Sequence, residues 1–277
     1  MKKILFILIV PALMFSCSKG SGSDSGSSVT NPPANILTVD IEGYGASHIW
    51  SSDDCFGIYG SKKGDNVRYV VETTSFEQDG QTRIYGTGAE GEVTGYYPYS
   101  ADGYPAVADG RQPLFSTQTF MESAEEQLKA HTVLVAKVQD KRLSFTYKCG
   151  VLHLHMTTDI AGPVTSAVLT SASKAVCGEL EIFSENPAVQ NPGSELELSG
   201  INRQCSLENP LDVRFMLPPG TYSDLQITLI SDAETIMKPV EATLTIEPKS
   251  EVRCTISNKE TIYEGSDIII IEGSFDD

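Results

Sequence analysis

Leu143-Ser144-Phe145-Thr146-Tyr147-Lys148-Cys149-Gly150-Val151-Leu152-His153-Leu154-His155-Met156 is the stretch that decides the fold. Apolar residues alternate with polar ones, the period of a half-buried β-strand rather than of a helix. Leu143, Phe145, Tyr147, Cys149 and Val151 share one face, and Leu152, Leu154 and Met156 then continue on the other parity. A phase change at Gly150 suggests a β-bulge there.

Working outward, the same pattern recurs along the chain, with turn residues between the runs, and predicts an all-β protein. Towards the N-terminus it predicts strands at Leu37–Ile41, Phe56–Tyr59, Arg68–Ser75, Thr82–Tyr85, Gly95–Tyr99 and Val133–Val138. Gln78-Asp79-Gly80 is a hairpin signal between two of them. Towards the C-terminus the runs are Val164–Ser171, Glu179–Phe183, Glu195–Leu198, Val213–Leu217, Leu225–Ile230 and Ala242–Ile256. Pro248 makes the last either an edge strand or two strands with a break. Only Glu122–Lys129 reads as helix.

The N-terminus is of another kind. Lys2 and Lys3 precede an apolar run from Ile4 to Phe15, 12 residues long against the ~20 needed to span a bilayer. Residues 1–16 read as a signal peptide. Met14-Phe15-Ser16-Cys17 reads as a lipobox, whose thiol takes the lipid. Residues 17–35 then form the lipidated Cys17 and a Ser/Gly-rich linker with almost nothing to bury, a coil spanning ~20–25 Å. A buried N-terminal helix would leave that tract unexplained. From Ile36 onward 242 residues remain, enough for two domains. The division falls near Asp140: 36–140 as one β-sandwich, 141–277 as the next.

The chain carries 20 basic and 37 acidic side chains. Without Lys2 and Lys3 the mature charge is −19, which repels nucleic acid and anionic headgroups; no nucleic-acid partner is expected. Besides Cys17 there are Cys55, Cys149, Cys177, Cys205 and Cys254, an odd number with no Cys-x-x-Cys pair. They read as mostly free, buried thiols packing as small hydrophobes.

No motif points to an enzyme: there is no Gly-x-Ser-x-Gly elbow, phosphate-binding Gly-rich loop or His-Glu-x-x-His. Two-carboxylate sites leave no local signature in so acidic a chain. His153 and His155 share a strand face as metal ligands would, but the apolar set Leu152, Leu154 and Met156 turns them toward solvent, and spacing places no third ligand. Asp102-Gly103 and Asp109-Gly110 lack the spacing of a calcium loop. The expectation is no catalytic residue, no metal and no cofactor. Trp50 and Tyr96-Tyr97-Pro98-Tyr99 fit either a core or a sugar-stacking surface, so a glycan-binding surface lipoprotein without polymerisation stays open as the alternative.

The order of segments resembles the fimbrillin family, pilin-like lipoproteins of anaerobic Gram-negative bacteria. The residues that carry this are the lipobox and linker, Ile49-Trp50-Ser51-Ser52-Asp53-Asp54 leading into Phe56-Gly57-Ile58-Tyr59, and Tyr96-Tyr97-Pro98-Tyr99. Leu143-Ser144-Phe145 running into Val151-Leu152-His153-Leu154 comes next, then Leu217-Pro218-Pro219-Gly220-Thr221-Tyr222. The resemblance implies two tandem transthyretin-like β-sandwich domains in a structural or adhesive fimbrial (pilus) subunit of the outer membrane. Its implied partners are other fimbrial subunits, the outer membrane through the lipid, and a host or bacterial surface ligand. It also implies assembly by donor-strand exchange, in which a protease removes the first strand and another subunit's C-terminal strand fills the groove by β-augmentation.

Two features bear on that scheme. After a Glu264-Gly265-Ser266 break, residues 267–277 supply Ile268, Ile269, Ile270, Ile271 and Phe275, an aggregation hazard unless a groove takes them. They are either a donor strand or the last strand of their own domain. The second feature is a departure: the family usually has an arginine after the first strand, but no Lys or Arg occurs between Lys19 and Lys62. The strand bearing Leu37, Val39 and Ile41 is then retained with its lipid anchor, as a chain-terminating subunit requires. Ser18-Lys19-Gly20-Ser21, directly after the lipidated cysteine, is not the acidic run that favours surface export.

Overall fold

The computed structural model describes residues 35–41, 50–60, 66–72, 82–89, 92–103, 110–184 and 187–268. The lipobox, the linker up to residue 34, the Gln78-Asp79-Gly80 signal, residues 42–49 after the first strand and Ile269–Phe275 lie outside them. The chain is predominantly β. The first strands are β1 (Asn35–Ile41), β2 (Cys55–Gly60), β3 (Asn66–Val71), β4 (Thr82–Gly86), β5 (Val93–Tyr97), β6 (Arg111–Leu114) and β7 (Thr117–Thr119). Helix α1 (Ala124–His131) comes after them, then β8 (Leu134–Gln139), β9 (Arg142–Tyr147) and β10 (Gly150–Met156). Next come β11 (Val164–Thr170), β12 (Cys177–Glu181), β13 (Val189–Gly193), β14 (Glu195–Arg203) and β15 (Leu211–Leu217). The last are β16 (Gly220–Tyr222), β17 (Gln226–Ser231), β18 (Thr235–Pro239), β19 (Leu244–Ile246), β20 (Ser250–Ile256) and β21 (Thr261–Ile268).

Seven strands close into a barrel in the order β1-β4-β3-β2-β5-β8-β9. The expectation for residues 36–140 is a β-sandwich, and this ring takes in β9 from beyond that boundary. The reason is β1, which pairs antiparallel with β4 and parallel with β9, joining the two ends of the sheet. Inside, Trp50 lies 4.8 Å from the Phe56 ring, 5.1 Å from Tyr97 and 6.0 Å from Phe145. These aromatics fill a core. Gly57 is required by close approach: a Cβ there would come within 1.8 Å of the Tyr96 ring.

The phase change at Gly150 has a different cause from a bulge. β9 belongs to the barrel, whereas β10 pairs with β15 and β20 in another sheet, ordered β15-β10-β20-β21. Lys148 and Cys149 carry the chain across, with the Lys148 N–H donating to the Val133 carbonyl at 2.9 Å. Parity flips because the chain leaves one core and enters a second. Gly150 is forced there, since a Cβ would sit 2.3 Å from the Glu247 carbonyl oxygen.

That second core lies between the β10 sheet and a five-stranded one, β18-β17-β11-β14-β7. Leu152, Leu154, Phe215 and Val252 meet Ala167, Leu169, Leu198 and Leu229 in one buried cluster. The barrel residues form the other cluster, joined by Leu180, Ile182 and Met216 from later in the chain. The segment between the barrel strands explains this: β6 pairs with β12, and β7 runs parallel to β14. All described residues belong to one compact unit, Pro32–Asp277. Asp140 and Lys141, both with positive φ, turn the β8–β9 hairpin inside the barrel. Helix α1 starts two residues later than the sequence suggests, because Ser123 caps it, its hydroxyl accepting from the Glu126 N–H at 3.0 Å.

Candidate functional site

Two strands at opposite ends of the described chain are the candidates, and their geometry differs. β1 alternates: Leu37, Val39 and Ile41 are buried in the barrel core. The strand is hydrogen-bonded on both sides, from Asn35↔Gly86 to Val39↔Thr82 and from Thr38↔Arg142 to Ile41↔Phe145. On its other side Asp40 is also buried. Its carboxylate accepts from Arg142, Nε at 2.6 Å and Nη2, and from the Ser144 hydroxyl.

β21 is an edge. It pairs antiparallel with β20 from Ile256↔Thr261 to Ser250↔Ile268 and ends the sheet order. The break expected at Glu264-Gly265-Ser266 is a register shift inside this strand, with Gly265 at φ +125. From Thr261 to Asp267 no side chain is buried, and Ile262 and Tyr263 are 48% and 53% exposed. Besides main-chain bonds, the strand is held by Arg253 Nη1–Asp267 Oδ2 at 3.3 Å, by Thr255–Glu264 and by the Thr261 hydroxyl donating to the Pro239 carbonyl at 3.4 Å. Of the donor candidates only Ile268 falls within it, by its backbone.

A charged ladder crosses the outer face of the β10 sheet. His153 Nε2 lies 2.7 Å and His155 Nδ1 3.0 Å from Asp212 Oδ1. His153 Nδ1 is 3.0 Å from Glu251 Oε1, which also accepts from Arg214 Nε at 3.2 Å. Alternation in the sequence turns both histidines to solvent. His153 is instead only 13% exposed in its side chain, because Asp212, Arg214 and Glu251 from the two neighbouring strands close over it. Burial pushes the Glu251 carboxyl up, but the His153 hydrogen bond and the Arg214 charge outweigh it and bring its pKa down to about 2. Among the described residues no group of His, Cys, Asp and Glu is arranged to hold a metal.

All five described cysteines are buried. Burial pushes the thiols of Cys149, Cys205 and Cys254 up to about 11.

No family model and no curated protein matches this chain. Solved structures do. A candidate cell adhesion protein from Bacteroides ovatus aligns with a TM-score of 0.51 at 16% identity, covering 81% of this chain and 90% of its own. A second such protein, from Bacteroides uniformis, gives 0.46 at 16% identity over 86% and 99%. A C-terminally truncated tip fimbrial protein from Porphyromonas gingivalis gives 0.38 at 8% identity over 86% and 100%. The first of these likenesses shows a shared fold.

Proposed function

We propose that this chain is a non-catalytic fimbrial (pilus) subunit, tethered to the outer membrane through a lipid on Cys17. It keeps its own first strand and donates its C-terminal one to another subunit. The two separate apolar clusters support two tandem transthyretin-like domains, meeting where the chain crosses at Lys148 and Cys149. The fold shared with a candidate adhesion protein supports a place at the cell surface.

One observation carries the strand-donation reading: from Thr261 to Asp267, β21 adds no buried side chain. Apolar side chains buried in a core strand are worth ~1.5–3 kcal/mol each against a total stability of ~5–15 kcal/mol. Among the described residues, the second cluster draws nothing from Thr261–Asp267, which supports reading the run that begins at Ile268 as one that serves another molecule. Among the described residues the exposed aromatics Tyr85, Phe115, Phe183 and Tyr263 stand on different sheets and loops, not in a row that would favour glycan binding.

Deleting residues 267–277 tests this. Incorporation into a polymer should be lost while the melting temperature falls by no more than about 2 °C. A large fall with loss of folding would return the segment to its own domain. Mass spectrometry of the cell-derived protein should find a mature chain beginning at a lipidated Cys17. A chain beginning after Ile41 would refute the anchor role.

A further inference from the structure

β7 comes between two barrel strands in the sequence, yet it is not part of the barrel. It runs parallel to β14 on the edge of the five-stranded sheet. The Glu197 N–H donates to the Ser116 carbonyl and the Phe120 N–H to the Ser199 carbonyl, each at 2.8 Å. Gln118 stands opposite Leu198, which is buried in the second core, and is itself only 1% exposed. A buried amide is costly unless both its ends are bonded.

Both ends are bonded to one residue of the opposite sheet. Oε1 accepts from the Met216 N–H at 3.1 Å, and Nε2 donates to the Met216 carbonyl at 3.0 Å. β15, which carries Met216, ends its sheet on that side. An edge residue of an antiparallel strand offers an N–H and a C=O together, the pair a neighbouring strand would take. A primary amide carries the matching acceptor and donor. Gln118 therefore does for Met216 what a strand would do, and it reaches across from the other sheet.

Met216 packs in the barrel cluster, whereas its neighbours Phe215 and Leu217 pack in the second one. The contact thus stands at the joint of the two halves. The segment that carries Gln118 leaves the barrel after β5 and returns to it at β8. On the way β6 pairs with β12, where Arg111 and Glu179 form a half-exposed ion pair at 2.6 Å; such pairs contribute little. The Gln118–Met216 pair is buried on both sides, and losing it leaves an N–H and a C=O unsatisfied in the interior.

We propose that the Gln118 amide is a latch that couples the two halves, so that the barrel and the second sandwich open together rather than one after the other. The latch stands on this contact and does not depend on the subunit reading. On that reading, a pull between Cys17 and the C-terminal strand crosses this joint, which the latch keeps from hinging.

Each half has its own reporter. Trp50, the single tryptophan of the sequence, is buried in the barrel and reports it by fluorescence. Pulsed amide hydrogen exchange in β11 and β17 reports the second sandwich. In a urea titration of the full-length protein the two midpoints should coincide within about 0.2 M. Gln118→Met keeps the length of the side chain and removes both hydrogen bonds, and its midpoints should separate by about 0.5 M or more. If that variant does not fold, Gln118→Glu, which keeps the acceptor for the Met216 N–H and loses the donor, carries the same expectation. Separate midpoints in the parent would refute the coupling outright. A variant whose two midpoints fall together has lost stability without losing coupling, and that result would overturn the latch.

Discussion

β1 and β21 are both short terminal strands with full main-chain pairing to a neighbour, yet they are bound to the fold by different means. β1 is paired along both edges and sinks Leu37, Val39 and Ile41 into the barrel. β21 is paired along one edge and leaves Ile262 and Tyr263 outside. Backbone hydrogen bonds alone exchange water for a neighbour at a net ~0.5–1.5 kcal/mol each, so side-chain burial decides which strand the fold cannot spare. One strand is structure; the other is attached to structure.

Three experiments press on that contrast. The largest effect should come from Ile41→Ala in β1, about 2–4 kcal/mol by denaturant unfolding. A cost under about 1 kcal/mol would mean the barrel does not depend on its closing strand. Glu251→Gln comes next, and it probes the sheet to which β21 is attached. The folded-state pKa of Glu251 is depressed to about 2, so its contribution is fully present above the ordinary carboxylate range and is lost as pH falls through about 2. The parent should lose about 1–3 kcal/mol between pH 5 and pH 2 that the variant has already lost at pH 7. Parallel stability-versus-pH curves would show that the His153–Glu251–Arg214 ladder contributes nothing. The smallest effect belongs to Tyr263→Ala on β21, within about 0.5 kcal/mol; a cost near that of Ile41→Ala would erase the distinction between the strands.

The long alternating runs were legible in the sequence because they make their own amphipathic face: β1, β2, β11, β15 and β17 fall where alternation puts them. β6, β13 and β21 were not. Pro113 sits in β6, Pro192 and Gly193 in β13, and Gly265 in β21. Such segments become strands because a neighbour offers an edge, and that neighbour is remote in the chain, as with β6 and β12. The same limit hid the hydrogen bonds to Asp40, whose donors are 102 and 104 residues away. It hid the charged ladder as well. Charges alternate on β10, β15 and β20 individually, but only the register brings His153 opposite Arg214 and Arg253. The parity flip at Gly150 was visible, and its meaning was not, since one strand changing phase and two strands in different sheets write the same letters.

The cysteines give the molecule a chemical memory of its own opening. Thiolate is the species that alkylating and oxidising reagents attack, and at neutral pH the thiols of Cys149, Cys205 and Cys254 are held protonated as well as buried. These three thiols are therefore shielded from a thiol reagent while the fold is closed, and a molecule that has opened even briefly is marked for good at them. Cys149 belongs to the barrel cluster and Cys205 and Cys254 to the second one, so the marks record whether one half opened before the other.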